Sequence, residues 1–304
     1  MKRLFTFGCS FTHFDWPTWA NLLGLDNEYD LCENWGFSGL GNLAIAQRIA
    51  ECHSKHNFTK DDTIVVQWSS HIRNDYHRQG TWDTKGSIFN MHNVNLYNKA
   101  WINHFFDERS YTMYSLNAMM MAQGILKSAG CKWAMTTIGD FNKLGNDFLN
   151  FNGDGENSTV SATLLEEYPE FEHYIKSIWD NNKNHWVESI GSFTWKEQQL
   201  GDNQFITDDP KIYKFVNKNP KTLKKQPYWW DSHPSTVGHA RWLQECLLPV
   251  LQKETKFNDK QNKLNSDINN FYCKQEWELF DFREQLTQLM NLDLQETLHK
   301  VRGH

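Results

Sequence analysis

The sequence predicts an α/β fold, a parallel sheet with helices on both faces. Three observations predict it. The apolar run Leu4-Phe5-Thr6-Phe7 stops at Gly8, where the chain can turn sharply. The run Thr63-Ile64-Val65-Val66-Gln67-Trp68 is nearly unbroken, as a strand buried on both sides requires. Cys131 to Ile138 repeats that character directly after a helix-period stretch closed by Gly130. Strands alternating with helical patterns of this length argue for crossover units.

In chain order, strand one ends at Gly8. Residues 16 to 25 follow with helical spacing, with Asp15 as the N-cap and Pro17 in the first turn. Tyr29 to Trp35 is a short second strand carrying polar residues. The glycine-rich segment Asn34-Trp35-Gly36-Phe37-Ser38-Gly39-Leu40-Gly41-Asn42 opens a second helix that runs to about His56. After Ser69-Ser70 the pattern lapses to about residue 109, and a third helix spans roughly Tyr111 to Ser128. Residues 140 to 228 are polar and irregular, with a helical patch from Leu164 to Trp179, and suit a lid or a substrate wall. A last helix, capped by Ser235 or Thr236, runs from Val237 to Leu251. The expected organisation is an α/β domain over 1–252, with insertions at about 71–110 and 140–228, and a helical extension over 253–304.

Composition narrows the function. A net charge of -6 argues against nucleic acid as a partner, which draws a basic excess. The 14 Trp and 20 Phe serve mainly as core. The six cysteines form no C-x-x-C pair and no metal-like spacing, so packed reduced thiols are expected. No run approaches the roughly 18 apolar residues of a membrane span, and none after Lys2-Arg3 is long enough for a signal peptide. The expected location is the cytoplasm or a virion. His53 and His56, read with no carboxylate or cysteine beside them, are expected at the surface, and His239 as structural. No metal and no cofactor is expected.

Chemistry is carried by two distant stretches. Ser10 stands just past the carboxyl end of strand one, where open α/β sheets place their sites. Serine needs a base to take its proton and a third group to orient that base. Trp230-Asp231-Ser232-His233-Pro234-Ser235 can supply both, because Pro234 forces His233 toward extended geometry and side chains two apart then share a side. Asp231 would orient His233, and His233 would face Ser10. The Ser10 N–H and the Gly39 N–H are the natural donors to an oxyanion. The glycines of the 34–42 segment do not have the spacing of a dinucleotide or P-loop fingerprint.

These residues resemble the SGNH (GDSL-type) hydrolase superfamily. Gly8-Cys9-Ser10-Phe11-Thr12 is similar to its first block, with Cys9 where an aspartate is usual. Asn34-x-Gly36-x-Ser38-Gly39 is similar to the second, and Asp231-Ser232-His233-Pro234 to the last. The third block departs: Trp68-Ser69-Ser70-His71 offers no asparagine, so Ser70 is taken as the substitute donor, with Arg73 or Asn74 in reach. The resemblance implies a flavodoxin-like three-layer sandwich, a catalytic Ser10–His233–Asp231 triad and an oxyanion hole from Ser10, Gly39 and Ser70. His13, His71, Arg73 and Trp230 are assigned to the substrate side. The implied activity is an esterase or deacetylase on an acyl ester, with an O-acetylated glycan preferred. Two other readings stay open: an O-acyltransferase with the same triad, and a non-catalytic structural or glycan-binding protein of a phage virion. The helical extension would serve oligomerisation or a protein partner.

Overall fold

The computed structural model describes residues 1–14, 17–78, 81–88, 97–139, 143–144, 162–191, 193, 233–234, 236–274 and 298–300. Its centre is a parallel sheet of β1 (Arg3–Phe7), β2 (Leu31–Asn34), β3 (Thr63–Trp68), β6 (Lys132–Thr137) and β9 (Leu298–Lys300), in the order β6-β3-β1-β2-β9. All six residues of β3 are buried, as a strand covered on both faces must be. The chain leaves β1 for β2 on one side and returns to β3 on the other, so the strand order reverses at β1. In open α/β sheets such a reversal is where ligand sites form, outside the carboxyl ends of the strands.

Helices α2 (Asn42–His56) and α4 (Glu108–Ala129) pack together, as do α1 (Trp19–Gly24), α7 (Thr236–Trp242) and α8 (Asp259–Lys274). The result is the expected α/β/α layering. Helix α4 starts three residues earlier than its apolar pattern, because the Asp107 side chain accepts from the Ser110 N–H at 3.0 Å and caps it. It ends where expected, at Gly130, in the left-handed conformation (φ 65°).

Helix α1 departs from expectation. It begins after Pro17, with Thr18 as N-cap, whose N–H donates to Asn21 Oδ1 at 2.9 Å. Asp15 lies outside the described residues. The 71–110 stretch contains an antiparallel hairpin, β4 (Arg73–Arg78) with β5 (Thr81–Ser87), and the short α3 (Lys99–Phe105). Neither strand has an apolar run, and an irregularity in register falls between Arg73 and Asp75, so no alternation marks the hairpin. In the second insertion the described residues hold β7 (Lys143–Leu144) paired with β8 (Ala162–Thr163), α5 (Leu164–Glu167), a 3₁₀ turn and α6 (Glu172–Ile178). The lysine-rich 211–225 stretch lies outside them.

Helix α7 runs through a π-helical turn at Leu243–Leu247 into Leu248–Val250. Its first residue, Thr236, does not cap it. The hydroxyl instead donates to the Pro17 carbonyl at 2.9 Å and ties α7 to the lead-in of α1. Helix α8 opens with a reciprocal box, Asn258 N–H to Gln261 Oε1 at 2.9 Å and Gln261 N–H to Asn258 Oδ1 at 3.0 Å. The same two side chains donate to the Leu25 and Leu22 carbonyls, at 2.9 and 2.8 Å, which satisfies the C-terminal end of α1. This part of the extension therefore packs on the α/β unit. The extension is not wholly helical, since Leu298–Lys300 pairs with β2 at the sheet edge.

At the amino ends of β1 and β3 Arg3 binds the solvent-inaccessible Asp62 carboxylate through two nitrogens, at 2.7 and 2.6 Å, and donates to the carbonyls of His56 and Asn57. Burial works to raise the Asp62 pKa, but the hydrogen bonds from Arg3 and Thr59 outweigh it and hold the carboxylate below its ordinary range. Arg3→Met strands this buried charge and is expected to cost about 3–5 kcal/mol in urea unfolding at neutral pH. A depressed carboxylate pKa contributes stability above the unfolded value, near pH 4, and loses it as pH falls through the folded value. The gap between Arg3→Met and wild type should therefore narrow in acid.

Candidate active site

Ser10 sits in a tight turn after β1, where the N–H groups of Thr12 and His13 both bond the Cys9 carbonyl, at 2.9 and 3.1 Å. Gly8 makes the turn possible. A Cβ there would stand 2.2 Å from Thr12 Oγ1 and 2.9 Å from the Gln67 carbonyl, at a φ of +156°. Beneath the turn lies a buried polar knot. Gln67 Oε1 accepts from Thr12 Oγ1 at 3.2 Å and from Cys9 Sγ at 3.5 Å, while Gln67 Nε2 donates to the Trp68 carbonyl at 2.6 Å. The Thr12 carbonyl accepts from Asn34 Nδ2 at 2.9 Å and from Thr18 Oγ1 at 2.6 Å.

The base arrives from the far end of the chain. His233 Nε2 lies 2.6 Å from Ser10 Oγ, across 223 positions of sequence. With the neutral imidazole protonated on Nδ1, the Ser10 hydroxyl donates to Nε2. The imidazole is clamped by two rings from the serine's own turn. Phe14 stacks on it at 3.9 Å between centroids, and Phe11 meets it edge-on at 5.0 Å. Sequence reading did not assign these two phenylalanines to the site, although their spacing, one and four residues past the serine, was available as a signal. Asp231 and Trp230 lie outside the described residues.

Two loops complete the edge. In the first, Gly39 takes φ 86°, which favours glycine, and Gly36 lies where a Cβ would come within 2.9 Å of Thr12. The Trp35 and Phe37 N–H groups bond the Thr6 and Gly8 carbonyls at 2.7 and 3.0 Å, so this loop is stitched to the serine strand. Among the described residues, neither the Ser10 N–H nor the Gly39 N–H has a hydrogen-bond acceptor. The second loop carries Ser70, which is buried and whose Oγ accepts from the Ile72 N–H at 3.3 Å, leaving its own proton available.

Asn42, the first residue of α2, grips the second loop. Its Oδ1 accepts from the Ser69 N–H at 2.7 Å and its Nδ2 donates to the Ser69 carbonyl and to Ser115 Oγ, both at 3.0 Å. Asn42 thus braces the loop after β3 from the start of α2. The hairpin supplies the other brace: Asp75 accepts from the Gly41 N–H at 2.9 Å and the Ala44 N–H at 3.4 Å, capping α2, and Arg73 donates to the Leu40 carbonyl at 3.1 Å. Arg73 thus holds the glycine loop. His71 is buried with Nε2 3.1 Å from Glu108 Oε1, and His13 is exposed beside the turn.

One histidine differs from expectation. His56 is not an isolated surface residue, since Glu33 and Cys52 stand beside it. His239, on α7, is fully buried with neither ring nitrogen hydrogen-bonded. Burial, and after it the neighbouring His233, push its pKa down to about 3. A base with a depressed folded pKa contributes stability above its unfolded value, near pH 6.5, and loses it as pH falls toward about 3. We expect wild type to lose up to about 1.4 kcal/mol more per pH unit than His239→Leu across pH 6 to 4. Parallel curves from urea titrations would contradict an uncharged buried His239.

No protein-family model matches this sequence, and no curated protein matches it significantly. Among solved structures it is similar to a member of the lipolytic protein G-D-S-L family from Veillonella parvula DSM 2008, with a TM-score of 0.39 and 12% identity. That alignment covers 80% of this chain and 94% of the other.

Proposed function

We propose that the protein is a serine hydrolase that cleaves acyl esters through an acyl-enzyme on Ser10. The observation that carries this reading is the 2.6 Å contact between Ser10 Oγ and His233 Nε2 at the carboxyl end of β1. It is the distance and pairing that general-base activation of a hydroxyl needs. His233 takes the serine proton as Oγ attacks the acyl carbonyl, then returns it to the departing alcohol. Water, activated by the same imidazole, attacks the acyl-enzyme and releases the acid. Asp231 is assigned to orient His233. The Ser10 and Gly39 N–H groups and the Ser70 hydroxyl are assigned to the oxyanion, where their lack of other acceptors supports the role.

An O-acetylated glycan is the proposed substrate class. Aromatic rings beside the hairpin support it: the exposed Tyr76 stacks on the buried Tyr97 at 6.3 Å, Trp101 meets Tyr97 at a tilt at 4.7 Å, and Phe105 is exposed. Transfer of the acyl group to a sugar hydroxyl would use the same residues, and would show as ester turnover that rises when a sugar acceptor is added.

Labelling with a fluorophosphonate, read by intact mass, tests the nucleophile without knowledge of the substrate. Wild type should gain a single adduct at Ser10, absent from Ser10→Ala and from His233→Ala. No adduct on folded wild type would sink the hydrolase reading in favour of a binding protein. On an acetylated glycan or a simple acetyl ester, Ser10→Ala should lose at least about 10⁴-fold in kcat, and Ser70→Ala about 10² to 10³-fold.

A further inference from the structure

We propose that Glu33, Cys52 and His56 form a binding site for a borderline divalent cation of the zinc class, remote from Ser10 and independent of its chemistry. Cys52 and His56 are four apart on α2, so they share one face of the helix. Glu33 comes from β2, paired in register with Phe5 of β1. The three ligand atoms lie within 4.8 Å of one another, and Glu33 Oε2 is 3.0 Å from His56 Nε2. Ligands of a tetrahedral zinc, each about 2.0–2.3 Å from the metal, stand roughly 3.3–3.8 Å apart. Small rotamer adjustments therefore close the set.

The surroundings fit a ligand set better than an ion pair. His56 Nε2 is buried and makes no hydrogen bond, even though the carboxylate is close, so the contact lacks hydrogen-bond angles. Trp35 Nε1 donates to Glu33 Oε2 at 2.8 Å, the kind of outer contact that orients a ligating carboxylate. The His56 ring is held against Phe5 at 5.0 Å and edge-on to Trp35 at 6.5 Å. Cys52 is fully buried, so its sulfur faces the other two ligand atoms and not solvent. A divalent ion would balance one carboxylate and one thiolate. The nearby cations are occupied elsewhere: Arg3 on Asp62, and Arg48 and Lys55 over the Trp35 ring. Glu33 and His56 keep side-chain exposures of 11% and 15%, which leaves a path inward and room for a water as fourth ligand. Thiolate, imidazole and carboxylate together select zinc or cobalt over magnesium or calcium. The ion would clasp the last turn of α2 to β2.

The test uses full-length reduced protein stripped with chelator and titrated with Co²⁺. One equivalent should produce the intense near-ultraviolet thiolate-to-cobalt charge-transfer band, and Zn²⁺ should abolish it. The band should be lost in Cys52→Ser, and Co²⁺ affinity should fall at least about tenfold in Glu33→Gln and His56→Gln. His56 is partly exposed, so His56→Gln keeps the test decisive should Cys52→Ser fail to fold. Zn²⁺ should also raise the Tm of wild type but not of His56→Gln. No thiolate band on folded wild type, or a band and affinity unchanged in His56→Gln, overturns the proposal and leaves a His56–Glu33 ion pair.

Discussion

The arrangement at the carboxyl edge depends on a small buried knot centred on Thr12. A single residue joins three strands' worth of loops: its hydroxyl bonds Gln67 of β3, and its carbonyl receives Asn34 from β2 and Thr18 from the start of α1. Each group is out of reach of water, so an unmade bond here costs on the order of 1–3 kcal/mol. The knot is satisfied only when the chain after β1 turns back over Gln67, and that turn is what lifts Ser10 to the edge. Gly8 is the steric condition for it, since any Cβ would occupy the space of Thr12 Oγ1.

A second set of contacts works outward from the knot by the same logic. Asn42 braces the Ser69 backbone, while Asp75 and Arg73 brace the glycine loop from the hairpin. Burial raises the Asp75 pKa, and the Gly41 and Ala44 N–H groups at the start of α2 and the charge of Arg73 offset part of that rise. In β4 two polar side chains, Arg73 and Asp75, serve backbone groups of the glycine loop and α2 rather than a core. This explains why β4 lacks the alternation by which strands are recognised.

Strands β1, β3 and β6 were legible because burial on both faces leaves continuous apolar runs. The proximity of His233 to Ser10 could be expected only from the two stretches taken together, since an Asp-x-His alone is a weak signal. What escaped was long-range polar bracing. Nothing local in Thr12, Asn42 or Asp75 reveals a partner 22 to 55 residues away. Phe14 went unassigned, because its contact with His233 spans most of the chain. Helix α1 was misplaced because Pro17 was assigned to a first turn that in fact starts after Thr18. Glu33 and His56 escaped for the same reason as Asn42, since a strand and the far end of a helix meet only in three dimensions.

The environment of His233 carries a further electrostatic consequence for the proposed proton transfer. An imidazole that accepts a proton from Ser10 becomes a cation, and a second positive charge nearby would oppose it. His239 is one such neighbour among the described residues, and its low pKa arises from burial first and from His233 second. Burial thus keeps His239 uncharged beside the imidazole that would take the serine proton. On its other side His233 meets the face of Phe14 and the ring of Phe11. A ring face is attractive to a cation and adds no competing charge. Helix α7, tied to the lead-in of α1 through Thr236, thus brings a neutral neighbour along with the base, and the serine's own turn provides the aromatic surface against which the imidazolium would form.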